Sequence, residues 1–266
     1  MSWNPDQYLK FAAPRLRPAL DLLARLSLDA PAQVADLGCG TGSITKLLAQ
    51  RWPEARVVGI DGSETMLAQA RTEPGAIEWV QADLASWQPE ERLDLLYSNA
   101  ALHWLPDHPA LFVRLAGMLA PGGVLAVQMP ANFDAPSHTE IEATVLEGPW
   151  RELLEPLLQP APVASAEVYY DLLAPHLAEL DLWHTSYLQV LQGTDPVKEW
   201  TKGTWLAPLL AALPDAQRVA FEERYAERLR PHYLMRPDGR TLFPFKRLFI
   251  VGRKGVVRGR RPGVFP

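Results

Sequence analysis

Hydrophobic residues in the first half of the chain alternate between two spacings. Short β-rich runs, which we interpret as buried strands, lie at 33–37, 56–60, 77–81, 93–98 and 124–129. Helical spacing separates these runs: Ile44, Leu47 and Leu48 share one face of a predicted helix over 43–52, and a later helix is predicted over 109–119. Strands that alternate with helices pair in parallel through right-handed crossovers. The pattern therefore predicts an α/β fold with a doubly wound, mostly parallel sheet.

The pattern changes after residue 130, where proline and aromatic residues become frequent. Further elements are predicted as helices at 139–147, 150–158, 196–213 and 215–233 and as strands at 182–191 and 242–252. We predict a Rossmann-like core made of 31–130 with 181–193 and 241–254. Around it we predict an N-terminal helical lid over 1–30, a mostly helical cap formed by insertions 131–180 and 194–240, and a basic tail over 255–266.

Composition and charge narrow the class of protein. The chain has 266 residues, 48% of them hydrophobic and 21% charged, which suits a globular protein with a large core. Its formal net charge of −5 argues against nucleic-acid binding, which needs a basic face, so the tail is predicted to be a solvated end. A single cysteine excludes an internal disulfide. No run of membrane-spanning length and no secretory signal is visible, so we predict a cytoplasmic protein without a membrane partner; the pattern predicts no oligomeric state.

A glycine-rich turn between the first predicted strand and the first predicted helix is the most specific motif. Residues 34–42 read V-A-D-L-G-C-G-T-G, and Asp61 ends the second strand nineteen residues after Gly42. Such a turn brings backbone N–H groups and a helix N-terminus against a ligand. In a dinucleotide enzyme that ligand is a pyrophosphate, which Asp36 would repel. The glycine spacings of the dinucleotide fingerprint and of the P-loop are also absent.

S-adenosylmethionine fits the turn and both acids. It carries no phosphate, Asp36 can attract its ammonium, the turn's N–H groups can hold its carboxylate, and Asp61 can accept both ribose hydroxyls. The simpler interpretation is an ordinary βαβ turn with Asp61 capping the next helix. The two acids and three glycines together favour the cofactor.

These motifs resemble those of the class I S-adenosylmethionine-dependent methyltransferases over residues 30–130. Three more stretches, W-N-P-D-Q-Y-L-K-F at 3–11, S-N-A-A-L-H-W-L at 98–105 and L-F-P-F-K-R-L-F-I-V at 242–251, are similar to the trans-aconitate methyltransferase family. The second stretch is shared with malonyl-carrier carboxyl methyltransferases. The resemblance implies methyl transfer to a carboxylate of trans-aconitate or a similar small polycarboxylate, giving a monomethyl ester.

The resemblance also completes the predicted cofactor site. It implies that Asp83 accepts from the adenine amino group while the Leu84 N–H donates. Trp3, Gln7 and Tyr8 precede the sheet, and we predict that they fold over the cofactor as a lid. The simpler interpretations are that Asp83 caps a turn and that the N-terminus is an amphipathic helix packed on the sheet. The predicted cofactor-binding residues are Asp36, Gly38, Cys39, Gly40, Asp61, Gly62, Met66, Asp83, Leu84, Asn99, Trp3 and Gln7.

The negative charge of the methyl acceptor has to be balanced by the protein. A tricarboxylate bound by a negatively charged protein needs a local basic cluster, and Arg suits carboxylates because its donors form a planar fork. The predicted substrate-binding residues are Tyr8, His103, Trp104, Arg236, Arg240, Lys246 and Arg247. Taken singly, each cation is also explained as a solvated surface charge, and His103 as a buried structural histidine. A carboxylate is already ionised at neutral pH, so we predict no catalytic base and no metal.

Two other functions stay open at this point. One is a carboxyl methyltransferase acting on a carrier-bound acyl acid, for which the basic tail is the visible docking face. The other is a non-catalytic protein that binds S-adenosylmethionine.

Overall fold

The computed structural model describes residues 12–72 and 76–256, and the side chains of residues 12–15 are outside this description. Three predicted site residues, Trp3, Gln7 and Tyr8, therefore lie outside the described residues, as does the tail beyond residue 256.

A seven-stranded sheet with the order β3-β2-β1-β4-β5-β7-β6 forms the centre of the fold. Its strands are β1 Gln33–Leu37, β2 Arg56–Asp61, β3 Ile77–Gln81, β4 Leu93–Asn99, β5 Leu119–Pro130, β6 Glu179–Gln192 and β7 Arg240–Arg253. The first five strands pair in parallel, β1 with β2 and β4, β2 with β3, and β4 with β5. The predicted α/β class and the mostly parallel, doubly wound sheet are confirmed.

Strand β7 runs antiparallel to β5. Gly122 donates to the Lys254 carbonyl at 3.0 Å and Lys254 donates to the Gly123 carbonyl at 2.8 Å, whereas Ala131 donates to the Lys246 carbonyl at 2.9 Å. Residue numbers thus fall along β7 as they rise along β5, which defines antiparallel pairing.

Ten helices of four or more residues are present in the described part of the chain. They are α1 Ala12–Ala24, α2 Ser43–Arg51, α3 Glu64–Ala70, α4 His108–Met118, α5 Pro136–Glu147, α6 Arg151–Leu154, α7 Ala166–Leu173, α8 Pro196–Lys202, α9 Ala207–Ala212 and α10 Asp215–Leu229. Short 3-10 turns lie at Leu102–Trp104 and Glu155–Leu157. Among the described residues, every helix is too short or too polar to cross a lipid bilayer.

Two sequence-based predictions of helices need correction. The predicted helix 196–213 is two helices, because the chain turns between Gly203 and Leu206, where the Leu206 N–H donates to the Thr201 carbonyl. Helix α7 was not expected in a proline- and tyrosine-rich segment. Its amphipathic spacing buries Tyr169 and Leu173 and leaves Tyr170 exposed.

The chain divides into two compact units. The first unit comprises residues 18–129, 162–183 and 248–266, and the second comprises 1–17, 130–161 and 184–247. The division into core and cap that we draw from the sequence stays a prediction.

Each unit has an apolar interior of its own. In the first unit, Val34, Ala35 and Leu37 of β1 are fully buried, as expected of a parallel strand covered on both faces. In the second unit, Trp150 packs edge-on against Phe221 with ring centroids 5.1 Å apart, within a cluster that also includes residues of α5 and α8.

Candidate active site

The glycine turn connects β1 to α2 and is held by its own backbone. The N–H groups of Gly38 and Cys39 both donate to the Ile60 carbonyl, at 2.8 and 3.0 Å, and the Gly42 N–H donates to the Cys39 carbonyl at 3.0 Å. The turn is therefore attached to the end of β2. These three N–H groups already donate to protein carbonyls, so they are not available to bind a ligand carboxylate.

The three glycines of the turn serve different purposes. All have positive φ, +78° at Gly38, +56° at Gly40 and +77° at Gly42, a region that side-chain-bearing residues adopt rarely. A Cβ on Gly38 would lie 2.1 Å from the Cβ of Ala101, and one on Gly42 would lie 2.3 Å from the Trp79 ring. A Cβ on Gly40 would meet no atom of the described residues within 4 Å. Gly40 therefore borders open space that a ligand can occupy.

Asp61, at the end of β2, anchors this turn. Its Oδ2 accepts the Gly40 N–H at 2.8 Å and its Oδ1 accepts the Ser63 N–H at 2.8 Å, just before α3. The capping interaction that we considered for Asp61 is thus present. Each carboxylate oxygen keeps a second lone pair, so the ribose role stays a prediction.

Asp36 is a buried carboxyl group inside β1, 2% exposed. Burial raises its pKa to about 7; a hydrogen bond from the Thr45 hydroxyl, 2.6 Å from Oδ2, lowers it, and the charge of Asp61 raises it. A cation placed beside Asp36 would favour the ionised form and be favoured by it.

The loop after β3 carries Asp83 and Leu84. The Asp83 side chain is exposed and accepts the Ala85 N–H at 2.9 Å and the Ser86 hydroxyl at 3.4 Å, so it caps the local turn. Arg114 of α4 donates to the Leu84 carbonyl at 2.8 Å and fixes the loop. Contact with adenine stays a prediction at both positions.

The carboxyl end of β4 carries two unusual features. Asn99 Oδ1 is buried and has no hydrogen-bond partner within the described part of the chain. Ala100 adopts φ +52°, a left-handed conformation that costs a non-glycine residue about 1–3 kcal/mol, and its N–H donates to the Gln128 carbonyl at 2.9 Å. Strain of this kind is concentrated at functional sites. The sequence carries no signal for Ala100.

His103 and Trp104 lie in the 3-10 turn that follows. Their rings are 4.6 Å apart, with His103 buried and Trp104 largely exposed. The structure also reveals a second histidine, His108, which sequence analysis missed. Its Nε2 lies 3.1 Å from the Leu102 carbonyl and its Nδ1 lies 2.5 Å from the Tyr169 hydroxyl.

His108 supports the turn as a neutral side chain. Burial lowers its pKa. A carbonyl can only accept, so Nε2 carries the proton toward Leu102 and Nδ1 accepts from Tyr169. This pair fixes the backbone from which His103 projects.

The four predicted cations of the acceptor site differ in environment, and all lie in the second unit. Arg236 is exposed in the turn before β7, and Arg240 is exposed at the first position of that strand. Lys246 forms an ion pair with Asp134 at 3.0 Å, which holds the pKa of that carboxyl below its ordinary value. Arg247 is buried, 6% exposed, and its guanidinium lies 4.6 Å from the centre of the Phe245 ring.

The remaining predicted cofactor residues lie in the glycine turn or directly after β2. Cys39 lies within it, and Gly62 and Met66 flank the Ser63 cap of α3, whose hydroxyl accepts the Met66 N–H at 3.4 Å. Since parallel strands end at the same edge of a sheet, the ends of β1, β2 and β4 gather Gly38, Asp61 and Asn99 at one edge.

Comparison with known proteins connects this geometry to a family. Residues 34–123 match a family described as a methyltransferase domain. The chain is 49% identical over 250 residues to the trans-aconitate 2-methyltransferase of Azoarcus sp. (strain BH72), covering 94% of this chain and 98% of that protein. It is 45% identical over 253 residues to that of Acidovorax sp. (strain JS42), covering 95% and 98%. The protein of the same name from Yersinia pestis (strain Pestoides F) is 45% identical over 250 residues, covering 94% and 97%.

Solved structures share the fold at much lower identity. The YcgJ protein from Bacillus subtilis superposes with a TM-score of 0.58 and 17% identity, over 89% of this chain and 97% of that one. Phosphoethanolamine N-methyltransferase 2 of Haemonchus contortus, in complex with S-adenosyl-L-methionine, gives a TM-score of 0.53 and 16% identity. That match covers 90% of this chain and 52% of the other protein, so the present chain spans about half its length.

Proposed function

The chain belongs to the trans-aconitate 2-methyltransferase family, and from this premise we propose that it methylates a carboxylate of trans-aconitate, giving a monomethyl ester. The donor is S-adenosylmethionine, as in the class I methyltransferases whose fold it has. The observation that carries the proposal is the glycine turn set between two carboxylates, Asp36 and Asp61, in a chain that matches these relatives over nearly its whole length.

The residues at the sheet edge fit the cofactor. Gly40 borders open space, Asp36 is a buried carboxyl that favours a neighbouring cation, and Asn99 Oδ1 is a buried acceptor with no donor among the residues that the structure describes. When bound, S-adenosylmethionine supplies a methyl group attached to a positively charged sulfur. We assign Asp36 and Asn99 to its ammonium and Asp61 to its ribose hydroxyls.

The other predicted contacts belong to the same proposal. Asp83 and the Leu84 N–H would serve adenine, and Gly38, Cys39, Gly62 and Met66 would line the cofactor. Trp3, Gln7 and Tyr8, which lie outside the described residues, keep their proposed role as a lid.

The chain's own contribution to the reaction is positioning. The attacking carboxylate is ionised at neutral pH, so no side chain has to remove a proton from it. Holding the two reactants in line is worth roughly 7–11 kcal/mol of barrier in well-oriented systems. We therefore assign no general base, and His103 would hydrogen-bond the acceptor with Trp104 as a pocket wall.

The negative charge of the acceptor is balanced by an arginine or lysine in this proposal. Arg247 is the strongest of the predicted cations because its guanidinium is already desolvated, and a buried cation gains more from a carboxylate than a solvated one does. Arg236, Arg240 and Lys246 are candidates with weaker support, since two are exposed and the third is paired with Asp134.

The chemical nature of the product tests the function. Purified protein would be incubated with S-adenosylmethionine labelled in its methyl group and with trans-aconitate, and the labelled product treated with alkali. A carboxyl methyl ester releases volatile labelled methanol, whereas an N- or C-methyl product keeps its label. Label that is stable to alkali, or no transfer to trans-aconitate, would overturn the proposal.

Two alternatives remain as outcomes of the same assay. Transfer only to a carrier-bound acyl acid would indicate the docking function, which the family relationship does not favour. Turnover of any acceptor would rule out a non-catalytic protein. A cytoplasmic location stays part of the proposal.

A further inference from the structure

We propose that Asn132 is a specificity-determining residue of the acceptor site, binding together with Arg247 a carboxylate of trans-aconitate that is not the one methylated. This inference rests on the proposed function and names a residue that the sequence did not single out. It is carried by an unusual combination of burial and missing hydrogen bonds at Asn132.

Asn132 is 1% exposed, and neither its Nδ2 nor its Oδ1 has a hydrogen-bond partner within the described part of the chain. An asparagine amide can donate two hydrogen bonds and accept two. Leaving both ends unpaired in a buried position is costly, and such groups are rare in native proteins. A ligand that pairs with the amide would remove that cost.

The backbone on both sides of Asn132 is fixed. The Ala131 N–H donates to the Lys246 carbonyl at 2.9 Å, and the Asn132 carbonyl accepts the Ala135 N–H at 3.0 Å, just before α5. The backbone that carries the Asn132 side chain is therefore held in place by hydrogen bonds on both sides.

Asn132 lies just beyond the carboxyl end of a strand, and ligands of open α/β sheets bind outside the carboxyl ends of the strands. It follows the carboxyl end of β5, which ends at Pro130. Continuing the antiparallel register past the bond between Ala131 and Lys246 places Asn132 opposite Phe245 of β7. Residues 245 and 247 share one face of that strand, and the Arg247 guanidinium lies over the Phe245 ring.

On this register Asn132 and Arg247 would be diagonal neighbours on one face of the antiparallel pair, a separation that long side chains span. Their chemistry is complementary to a carboxylate. Arg247 supplies charge and a fork of donors, and the Asn132 Nδ2 adds a neutral donor directed at the same anion. The Asn132 Oδ1 can at the same time accept from the guanidinium, which would orient both groups.

The first test separates a ligand-binding amide from a structural one. Asn132→Leu replaces the amide by an apolar group of similar size. If the amide serves only a ligand, the free variant should have a Tm equal to or above wild type, while the KM for trans-aconitate rises at least tenfold. The matched control is Thr144→Val in α5, which removes a buried hydroxyl that does have a partner, the Glu140 carbonyl at 2.6 Å. That variant should lose stability and keep its KM.

The second test identifies the carboxylate, and uses Asn132→Ala so that steric blocking cannot explain the result. Binding of itaconate, mesaconate and glutaconate, each of which lacks a different carboxylate of trans-aconitate, would be measured by calorimetry in the presence of S-adenosylhomocysteine. Asn132→Ala should weaken two of these dicarboxylates about as much as trans-aconitate and leave unchanged the one that lacks the carboxylate bound by Asn132.

The outcomes test the role of Asn132 separately from the proposed methylation of trans-aconitate. Wild-type protein that does not methylate trans-aconitate overturns both. Wild-type turnover combined with an unchanged KM in Asn132→Ala, or an equal loss for all three dicarboxylates, overturns the role of Asn132 alone. A lowered Tm in Asn132→Leu with an unchanged KM assigns the residue to the fold.

Discussion

The carboxylate of Asp61 lies 2.8 Å from the backbone nitrogen of Gly40, so the acid that ends β2 holds the glycine turn that follows β1. Its other oxygen accepts the Ser63 N–H ahead of α3. A residue that we proposed as a cofactor ligand therefore has a structural role as well. An experiment on Asp61 therefore has to measure cofactor binding and protein stability separately.

We expect Asp61→Ala to weaken S-adenosylmethionine binding by on the order of 1.5–3 kcal/mol, because charge-assisted hydrogen bonds to ribose are lost. This corresponds to roughly 10- to 150-fold in Kd, measured by calorimetry. Asp94→Ala is the matched control, since Asp94 Oδ2 also accepts two backbone N–H groups, those of Ala32 and Gln33, at the amino end of β1. Equal cofactor affinity in the two variants would remove Asp61 from the binding site.

Gly40→Ala should mainly weaken cofactor binding, whereas Gly38→Ala should mainly impair folding. At Gly40 an added Cβ meets no described atom within 4 Å, so the variant should lose only the roughly 1–2 kcal/mol of stability that a positive φ costs. It should nevertheless bind the cofactor poorly if the cofactor lies over this residue. At Gly38 the Cβ would collide with Ala101, so folding itself should suffer, with partial rescue by Ala101→Gly.

Gly193→Ala is the control that measures how much stability a positive φ costs an alanine. Gly193 also has a positive φ and no described atom within 4 Å of an added Cβ, but it lies between β6 and α8. Thermal unfolding and calorimetry of these variants give stability and affinity separately. Normal cofactor affinity in Gly40→Ala would contradict the proposed cofactor position.

The sheet was the most predictable part of the molecule. Short β-rich runs separated by helical spacing have few alternative arrangements, and the predicted strands 33–37 and 77–81 coincide with β1 and β3. The break between α8 and α9 was not predictable, since it depends on a hydrogen bond from Leu206 to the Thr201 carbonyl.

The site was predictable only where function imposes a sequence pattern. Asp36 and Asp61 belong to such a pattern around the glycine turn. His108, Ala100 and Asn132 do not, because their roles arise from tertiary burial, from backbone conformation and from the pairing of β5 with β7. Likewise, only the structure distinguishes the buried Arg247 from the exposed Arg236.

Stability should depend on pH through Asp36. Its pKa is about 7 in the folded protein and 3.8 ordinarily, so between these values the folded state keeps a proton that the unfolded chain has released. Stability therefore falls as pH rises through that window, and the cost of the ionised group is complete above pH 7. Asp36→Asn, which removes this titration, should be more stable than wild type at pH 8, with the difference vanishing near pH 4.

Cofactor affinity should show the opposite trend. If the ionised Asp36 holds the cofactor's ammonium, binding to wild type should weaken by up to about tenfold per pH unit as the pH falls below 7. Calorimetry between pH 5.5 and 7 would measure this, and Asp36→Asn should bind weakly with little dependence on pH. A wild-type affinity that does not change over this range would place the ammonium elsewhere.

The acceptor site gives a prediction about which cation matters. Arg247 is desolvated, so removing it leaves a charged ligand group unpaired, whereas water replaces the exposed Arg236 and Arg240 at little cost. Arg247→Met, which keeps much of the length and the packing on Phe245, should raise the KM for trans-aconitate at least tenfold, equivalent to about 1.4 kcal/mol. Arg247→Lys should fall between, because it keeps the charge but loses the planar fork.

Alanine variants of Arg236 and Arg240, and deletion of residues 256–266, should leave that KM within about twofold of wild type, since exposed charges contribute little. Cofactor affinity should be unchanged in every one of these variants, because the cation serves the acceptor alone. A neutral Arg247→Met together with a severe tail deletion would mean that the acceptor is recognised through the basic end of the chain, as a carrier-bound substrate would require.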